Sequence, residues 1–141
     1  MGDETRRYTD EVPEEFEARL RALCLALPDA YEERAWVGTR WMVRKRTFAH
    51  VLGIETEGLP HVVLTFRSAG EELEVLRHAG PPFVVLGWGR DAMGLALGAE
   101  TEWDEVRELV TESYCVLAPK KLVALVARPG DVGGGASAGI G

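Results

Sequence analysis

The spacing of the apolar residues changes twice along this chain, and that change limits the folds open to it. Apolar residues recur three or four positions apart over residues 16–27 and again over 103–117, which predicts an amphipathic helix in each segment. Between these helices, short segments rich in Val, Leu and Ile alternate with other residues, which predicts β-strands. The second of these strands places Phe48 on the same face as Leu52. Because the links between the first three strands are short, we expect antiparallel pairing.

Helix and turn signals set the limits of the remaining elements. Residues 68–71 have the S-x-x-E form of a capping box before a short helix, and Thr101 is placed to cap the long one. A final short helix is predicted over residues 120–126. The order α-β-β-β-α-β-β-α predicts an α+β fold, with a five-stranded antiparallel sheet and the helices packed on one face. The predicted strands cover residues 40–43, 47–54, 61–66, 83–86 and 92–97.

The length of 141 residues suits a single domain. We expect this domain to cover residues 13–128, with a flexible segment before it at 1–12. Residues 130–141 include six glycines and almost no large side chains. Such a segment cannot bury enough surface to offset the entropy lost on ordering, so we predict a disordered Gly-rich tail at 129–141.

The composition excludes several classes of protein. No apolar run approaches the roughly 20 residues of a membrane-spanning helix, and the polar start of the chain shows no secretory segment. Two cysteines are too few for a disulfide framework, and no His or Cys spacing is typical of a metal site. We expect a soluble, cytoplasmic monomer with no membrane contact, metal or cofactor.

Several segments carry a resemblance to a known family. They read RALCLALP at 21–28, WVG at 36–38, RKRTFA at 44–49, WDEV at 103–106, ESY at 112–114 and APKKL at 118–122. Together, in order and at matching intervals, they make residues about 13 to 126 resemble the MmcQ/YjbR family. The resemblance implies a frataxin-like (CyaY-like) fold with the element order given above. It also implies a role as a DNA-binding protein of the double-wing type.

Four cations lie close together at the first predicted hairpin: Arg40, Arg44, Lys45 and Arg46. The whole chain has 16 Lys and Arg against 23 Asp and Glu, a net charge of −7, so this cluster is a positive patch on an acidic protein. A projecting cationic tip with Trp41 beside it is suited to bind phosphates along a groove of DNA. The alternative is an ordinary solvated turn with Trp41 in the core.

The second predicted hairpin carries Trp88 and Arg90 and would form the other wing. Lys120 and Lys121 would add two phosphate contacts if they face the same way. The favoured function is therefore a non-enzymatic binding module, with DNA as the ligand that the resemblance implies. We expect that binding to be weak and dependent on salt, because only a patch of the protein is positive.

Two other functions remain open. One is a protein-interaction or scaffold role through the face of the sheet or through the acidic first helix. The acids of that helix also suit a divalent cation, although the helix dipole alone favours acids in a first turn. The acids of this first-helix segment are Asp10, Glu11, Glu14, Glu15 and Glu17.

The other function is an enzyme using His50, His61 and Cys115, which no motif spacing supports.

Overall fold

In the computed structural model, which describes residues 6–126, the elements follow the order β-α-β-β-β-β-α-β-β-α-α. The strands are β1 (Arg6–Thr9), β2 (Tyr31–Arg34), β3 (Thr39–Val43), β4 (Arg46–Thr56), β5 (Leu59–Arg67), β6 (Phe83–Val84) and β7 (Ala92–Leu97). The helices are α1 (Glu14–Leu25), α2 (Gly70–Arg77), α3 (Trp103–Leu117) and α4 (Lys120–Val123). None of these helices is long and apolar enough to cross a membrane. The predicted Gly-rich tail at 129–141 lies outside the described residues.

The strands form one antiparallel sheet in the order β2-β3-β4-β5-β7-β6, and β1 also pairs with β4. With 11 residues, β4 is much longer than β3. β1 pairs with the end of β4 that β3 does not reach, where Tyr8 lies opposite Ile54. The backbone groups along that edge of β4 are therefore satisfied within the domain and are not left to pair with another chain.

The prediction of a five-stranded sheet is wrong, because the seven-stranded sheet also contains β1 and β2. Both strands are short and polar, with the sequences RRYT and YEER, and neither has a buried side chain. Strand prediction depends on an alternation of buried and exposed residues, which such edge segments lack. The corrected order has one strand before α1, inside the segment that we expected to be flexible, and another soon after it.

The helices pack on one face of the sheet and enclose the main core. Trp41 of β3 and Phe48 of β4 are fully buried there, against Leu20 of α1 and Tyr114 of α3. The Phe48 and Tyr114 rings meet edge to face, with centroids 5.4 Å apart. Burial of such large side chains between the two layers supplies most of the favourable free energy of folding.

A second, smaller hydrophobic cluster lies on the opposite face of the sheet. Its buried residues come from the centre of the sheet and from the segment after β6. Tyr8 of β1, Val37 of the β2–β3 loop and Val84 of β6 pack against it. This face is therefore partly covered and does not present an open apolar surface. The cluster consists of Leu52, Ile54, Val63 and Leu86.

The alternation predicts Phe48 on the same face of β4 as Leu52. Phe48 instead lies on the other face, which packs against the helices. The pairing of β3 with β4 shifts between Trp41 and Met42: Trp41 pairs with Ala49, but Met42 pairs with Thr47. Phe48 is the extra residue of this bulge, and it joins the main core together with Ala49. A bulge interrupts the alternation of faces locally, and the sequence pattern does not reveal it.

The two predicted helix caps do not form. The N-cap residues are Ala69 for α2 and Glu102 for α3, and neither makes a side-chain hydrogen bond to its helix. Thr101 instead accepts a hydrogen bond from the Gly98 N–H at 2.7 Å, which closes the turn between β7 and α3. Ser68 is buried at the end of β5. Thr101 therefore stabilises the loop before α3 and not the end of the helix.

The β3–β4 turn consists of Arg44 and Lys45, whose φ angles are 50° and 68°. Positive φ at both central positions is typical of a type I′ turn, whose twist matches that of antiparallel strands. Asn and Gly usually occupy these positions, because a β-carbon disfavours the left-handed region. Two long cationic side chains are thus held in a strained turn.

Replacing Lys45 with glycine should relieve part of this strain. We expect Lys45→Gly to raise the free energy of unfolding by about 1 kcal/mol, since its backbone N–H can still donate to the Tyr31 hydroxyl, 3.2 Å away. Arg46→Gly is the matched control: it removes an adjacent charge at an extended position, where glycine should cost about 0.5–1 kcal/mol. Urea denaturation measures both changes. A loss of stability in Lys45→Gly would contradict a strained turn.

Candidate nucleic-acid interface

Three cations are exposed at the tip of the β3–β4 hairpin: Arg44, Lys45 and Arg46. Arg44 Nη2 lies 3.3 Å from Asp29 Oδ2 in a solvent-exposed ion pair. Within residues 6–126, Lys45 and Arg46 form no ion pair. The tip therefore offers a ligand two cations that are unpaired among the described residues, and a third that is held by a weak surface pair.

Arg40 and Trp41 lie on β3 itself and not at the tip. Arg40 Nη2 is 2.7 Å from Oε1 of Glu33, its partner across the β2–β3 pair. Trp41 is fully buried on the helix side, so it is a core residue and not an aromatic neighbour of a phosphate site. Since alternate residues of a strand face opposite sides, Arg40 lies on the face away from the helices. The four predicted cations are thus divided between the tip and the sheet face.

The β3–β4 turn and the β6–β7 loop (residues 85–91) lie at the same end of the sheet. Ala49 pairs with Phe66, and Arg67 pairs with Ala92, so the starts of β4 and β7 lie side by side across β5. The centres of the two hairpins are three strand spacings apart, about 14 Å. The two hairpin ends therefore lie on the same side of the domain.

The C-terminal half of α3 is fixed to this same end of the domain. The Tyr114 hydroxyl donates to the Pro28 carbonyl at 2.7 Å, and Ser113 Oγ donates to a β4 carbonyl at 2.6 Å. α4 begins soon after α3 ends, and Lys120 and Lys121 are exposed in its first turn. α4 therefore follows the end of α3 that lies nearest the cationic tip.

Trp88 and Arg90 do not project together from the β6–β7 loop. The Trp88 ring folds over the sheet and packs against Trp36 and Tyr8, with centroid distances of 6.2 and 5.5 Å. Arg90 is exposed, and its carbonyl accepts a hydrogen bond from the Arg77 guanidinium. The loop therefore presents a cation at its surface, while its tryptophan belongs to a group of rings on the sheet face.

Four rings from separate elements meet on the face away from the helices, and we call them the aromatic cluster: Tyr8, Trp36, His50 and Trp88. Tyr8 meets Trp36 edge-on at 5.3 Å and 73°. His50 lies 6.1 Å from Trp88. The sequence pattern does not reveal this cluster, because its members are distant in the chain. Tyr8 reaches the cluster only because β1 pairs with β4, and the polar sequence of β1 does not predict a strand.

A cleft of about 310 Å³ opens beside the aromatic cluster, and we call it the aromatic cleft. Trp36 lines the cleft from the β2–β3 loop and Trp88 from the β6–β7 loop. Arg67 pairs with Asp91 at its border, with 3.2 Å between Nη1 and Oδ2. Polar side chains from β3, β4 and β5 also line it, namely Arg40, Thr47, His50, Thr65 and Arg67.

His50 connects the sheet to the loop that carries Trp36. Its Nε2 lies 2.7 Å from the Val37 carbonyl, so Nε2 is the protonated nitrogen that donates this bond. Burial lowers the pKa of His50; the bond to Val37 opposes this shift, and the charge of Arg40 adds to it. The ring is therefore neutral near pH 7, and Nδ1 remains a hydrogen-bond acceptor.

The residues of the enzyme hypothesis lie apart. His61 pairs with Ile54, which is four residues along β4 from His50, a distance of about 14 Å along the strand. Cys115 lies on α3, on the other side of the sheet, and packs against the main core. The fold therefore does not assemble these three side chains into one site.

Two acids near the first helix have structural partners. Asp10 Oδ1 accepts a hydrogen bond from the Gly38 N–H at 2.6 Å, and Glu17 Oε2 accepts one from the Thr39 hydroxyl at 2.6 Å. Both bonds connect α1 or the segment just before it with the start of β3. In the described part of the chain, no group of three or more His, Cys, Asp or Glu side chains could hold a metal ion.

Comparison with known protein families gives a match over most of the described residues. The sequence model of the YjbR family matches residues 25–116, which run from the end of α1 to the last turn of α3. These residues include β2 to β7, the cationic tip and every residue that lines the aromatic cleft. No curated protein matches the chain. Because the match covers nearly two thirds of the sequence and agrees with the resemblance found there, the chain belongs to the YjbR family.

Proposed function

We propose that this domain is a non-enzymatic module that binds nucleic acid through phosphate contacts at its cationic end. One observation carries the proposal: four exposed cations, Arg44, Lys45, Arg46 and Arg90, lie at one end of the sheet, on a protein whose net charge is −7. The cationic end comprises these four residues, from the β3–β4 tip and the β6–β7 loop. We propose that the exposed Lys120 and Lys121 of α4 extend it.

Electrostatics supports a phosphate ligand for this surface. Most of an acidic protein repels a polyanion, so binding needs a local concentration of positive charge. Lys45 and Arg46 break no ion pair with the described residues when they meet a phosphate. Arg44 would exchange only its exposed contact with Asp29, which is worth at most about 1 kcal/mol. Phosphate contacts carry no sequence information, so we infer weak binding without base preference.

Salt dependence tests the number of phosphate contacts. If the three tip cations each neutralise one phosphate, the slope of log affinity against log salt should be about −2.7 for duplex DNA, from roughly −0.9 per phosphate. The dissociation constant should be about 10⁻⁴ to 10⁻⁶ M at physiological salt. Fluorescence anisotropy with a labelled duplex at several salt concentrations measures both quantities. Binding with no dependence on salt would contradict the proposal.

Charge reversal tests where the duplex binds. The triple variant Arg44→Glu, Lys45→Glu and Arg46→Glu should lose measurable affinity at ~50 mM salt. Its fold should persist because all three side chains are exposed. Circular dichroism and thermal melting of the variant check that the domain still folds.

A matched control reverses three exposed arginines away from the cationic end: Arg6, Arg19 and Arg107. This control has the same net charge as the tip variant, so an effect of overall charge would appear equally in both. We expect the control to bind duplex DNA more tightly than the tip variant. Equal losses would mean that the tip is not the binding surface. If the wild type has no affinity even at ~50 mM salt, the nucleic-acid function is wrong and a protein partner becomes the favoured alternative.

A further inference from the structure

The aromatic cleft contains ring surfaces that phosphate contacts at the cationic end do not use. Trp36 is 66% exposed and Trp88 is 36% exposed, although both are large apolar side chains. Tyr8 meets both rings edge-on, so they are held in place on the sheet face. The domain therefore presents preformed aromatic surface to solvent, which is suited to stack against a flat ligand.

The charge of the cleft favours an anion. Arg40 and Arg67 are its cationic lining residues and Asp91 is its acidic one, so the lining is net positive on an acidic protein. Arg40 donates through Nη2 to Glu33, but its Nε is buried and has no hydrogen-bond partner in the described part of the chain. The buried hydroxyl of Thr65 adds a further polar group. The cleft thus places stacking surface beside two guanidinium groups and a hydroxyl.

We infer that the aromatic cleft binds an unpaired nucleotide, with its base stacked on Trp36, the more exposed of the two tryptophans, and its phosphate near Arg40 and Arg67. A nucleobase is planar, and any base can stack on an aromatic side chain. Phosphate is the anion for which a guanidinium group is best suited. The volume of about 310 Å³ is at the small end of the range for ligand sites, about 300–1,000 Å³, and suits one nucleotide.

The cleft is continuous with the cationic end. Thr47, which lines the cleft, directly follows Arg46 of the tip, and the lining residues Gly89 and Asp91 flank Arg90. A single strand can therefore place phosphates on the tip and an unpaired base in the cleft, whereas the bases of a duplex are already paired and stacked. The inference rests on the proposed function for a polymeric ligand, and it predicts a preference for single-stranded nucleic acid.

Paired binding measurements test that preference. We expect a labelled oligodeoxythymidine to bind at least about fivefold more tightly than a duplex of the same length at the same salt concentration, given the usual strength of base stacking. Trp36→Ala should lower single-strand affinity by about fivefold or more and leave duplex affinity unchanged. Trp36→Phe keeps a stacking ring and should restore most of the single-strand affinity.

Thymidine monophosphate separates the cleft from the tip, because one nucleotide is a ligand for the cleft alone. Its saturable quenching of tryptophan fluorescence should persist in the tip variant with Arg44, Lys45 and Arg46 reversed to glutamate. Trp36→Ala should abolish this quenching. Trp103→Ala, which removes a tryptophan on α3 away from the cleft, is the matched control and should keep it.

The outcomes distinguish the two proposals. If single strand and duplex bind equally and Trp36→Ala changes neither affinity, the cleft inference is wrong and the proposal for the cationic end stands. If no polymer binds but the mononucleotide quenches fluorescence in a Trp36-dependent manner, the cleft binds free nucleotides and the nucleic-acid function is wrong. If neither polymer nor mononucleotide binds, both proposals are wrong.

Discussion

Gly38→Ala should lower the free energy of unfolding by about 3–5 kcal/mol, from the sum of backbone strain and overpacking. Gly38 has a φ of +75°, and a β-carbon built on it would lie 2.0 Å from the Val51 carbonyl oxygen. That oxygen belongs to the central strand β4, which cannot move aside as a flexible side chain would. A loop that shifts to avoid the clash would also weaken the bond from the Gly38 N–H to Asp10. Urea denaturation measures the loss.

Gly58→Ala is the matched control for this substitution. Gly58 lies in the β4–β5 turn with a φ of +79°, and a β-carbon there would meet nothing within 4 Å. It shares the backbone conformation of Gly38 but not the clash, so we expect a loss of only about 1–2 kcal/mol. The difference between the two variants isolates the effect of close packing. Equal losses would mean that the β2–β3 loop can move away from β4 at little cost.

Trp41→Ala should lower the free energy of unfolding by about 3–5 kcal/mol. The Trp41 side chain is fully buried between the sheet and the helices, and its removal leaves a cavity that a packed core cannot refill. The substitution also removes a hydrogen bond, since Trp41 Nε1 donates to Glu32 Oε1 at 2.9 Å. Arg21 of α1 donates to the same oxygen at 2.9 Å, so the bond network between α1 and β2 is weakened as well. Thermal and chemical denaturation should agree on the loss.

The contrast with an exposed tryptophan checks that burial is the cause. Trp36→Ala removes the same side chain from an exposed position, where it loses only the ring contacts with Tyr8 and Trp88, and should cost about 1–2 kcal/mol. A similar loss in both variants would contradict the assignment of Trp41 to the core. The comparison also shows whether Trp36→Ala is folded well enough for the nucleotide experiments.

Trp41→Phe adds a test of the bond to Glu32. Partial burial raises the pKa of Glu32, but the hydrogen bonds from Arg21 and Trp41 outweigh it and lower the pKa below the usual 4.5. A lowered folded-state pKa means that stability is present above about 4.5 and is lost as the pH falls through the folded-state value. Trp41→Phe should therefore destabilise the domain most near neutral pH, and its deficit should shrink in acid. If the loss of stability in Trp41→Phe does not change with pH, that loss comes from packing alone.

The residue pattern predicts the interior elements well, because burial imposes a period on them. α3 buries the face that its spacing predicts, including Val106, Val110 and Tyr114. β5 and β7 likewise lie where the apolar segments predict them. The segments that repeat the family's residues fall in the same part of the chain, which is why the resemblance to the YjbR family could be recognised and is confirmed.

The candidate site is predictable only where it depends on local charge. The cations of the tip are adjacent in sequence, and a turn between two strands exposes them wherever the hairpin lies. The position of Trp88 in a loop predicts an exposed contact at the second hairpin. Its packing on Tyr8 and Trp36 depends on how three distant segments meet. Arg40 and Trp41 are adjacent in the sequence, but their side chains lie on opposite faces of β3.

By itself, the sequence determined the periods of the buried helices and strands, the positive hairpin and the family. The tertiary structure alone decided the two polar edge strands, the bulge at Phe48 and the aromatic cleft. The physical reason is the range of the interactions involved. A buried face repeats every two or nearly four residues and is visible within one element. Edge pairing and the meeting of Tyr8 with Trp88 depend on strand order and register, which no local period records.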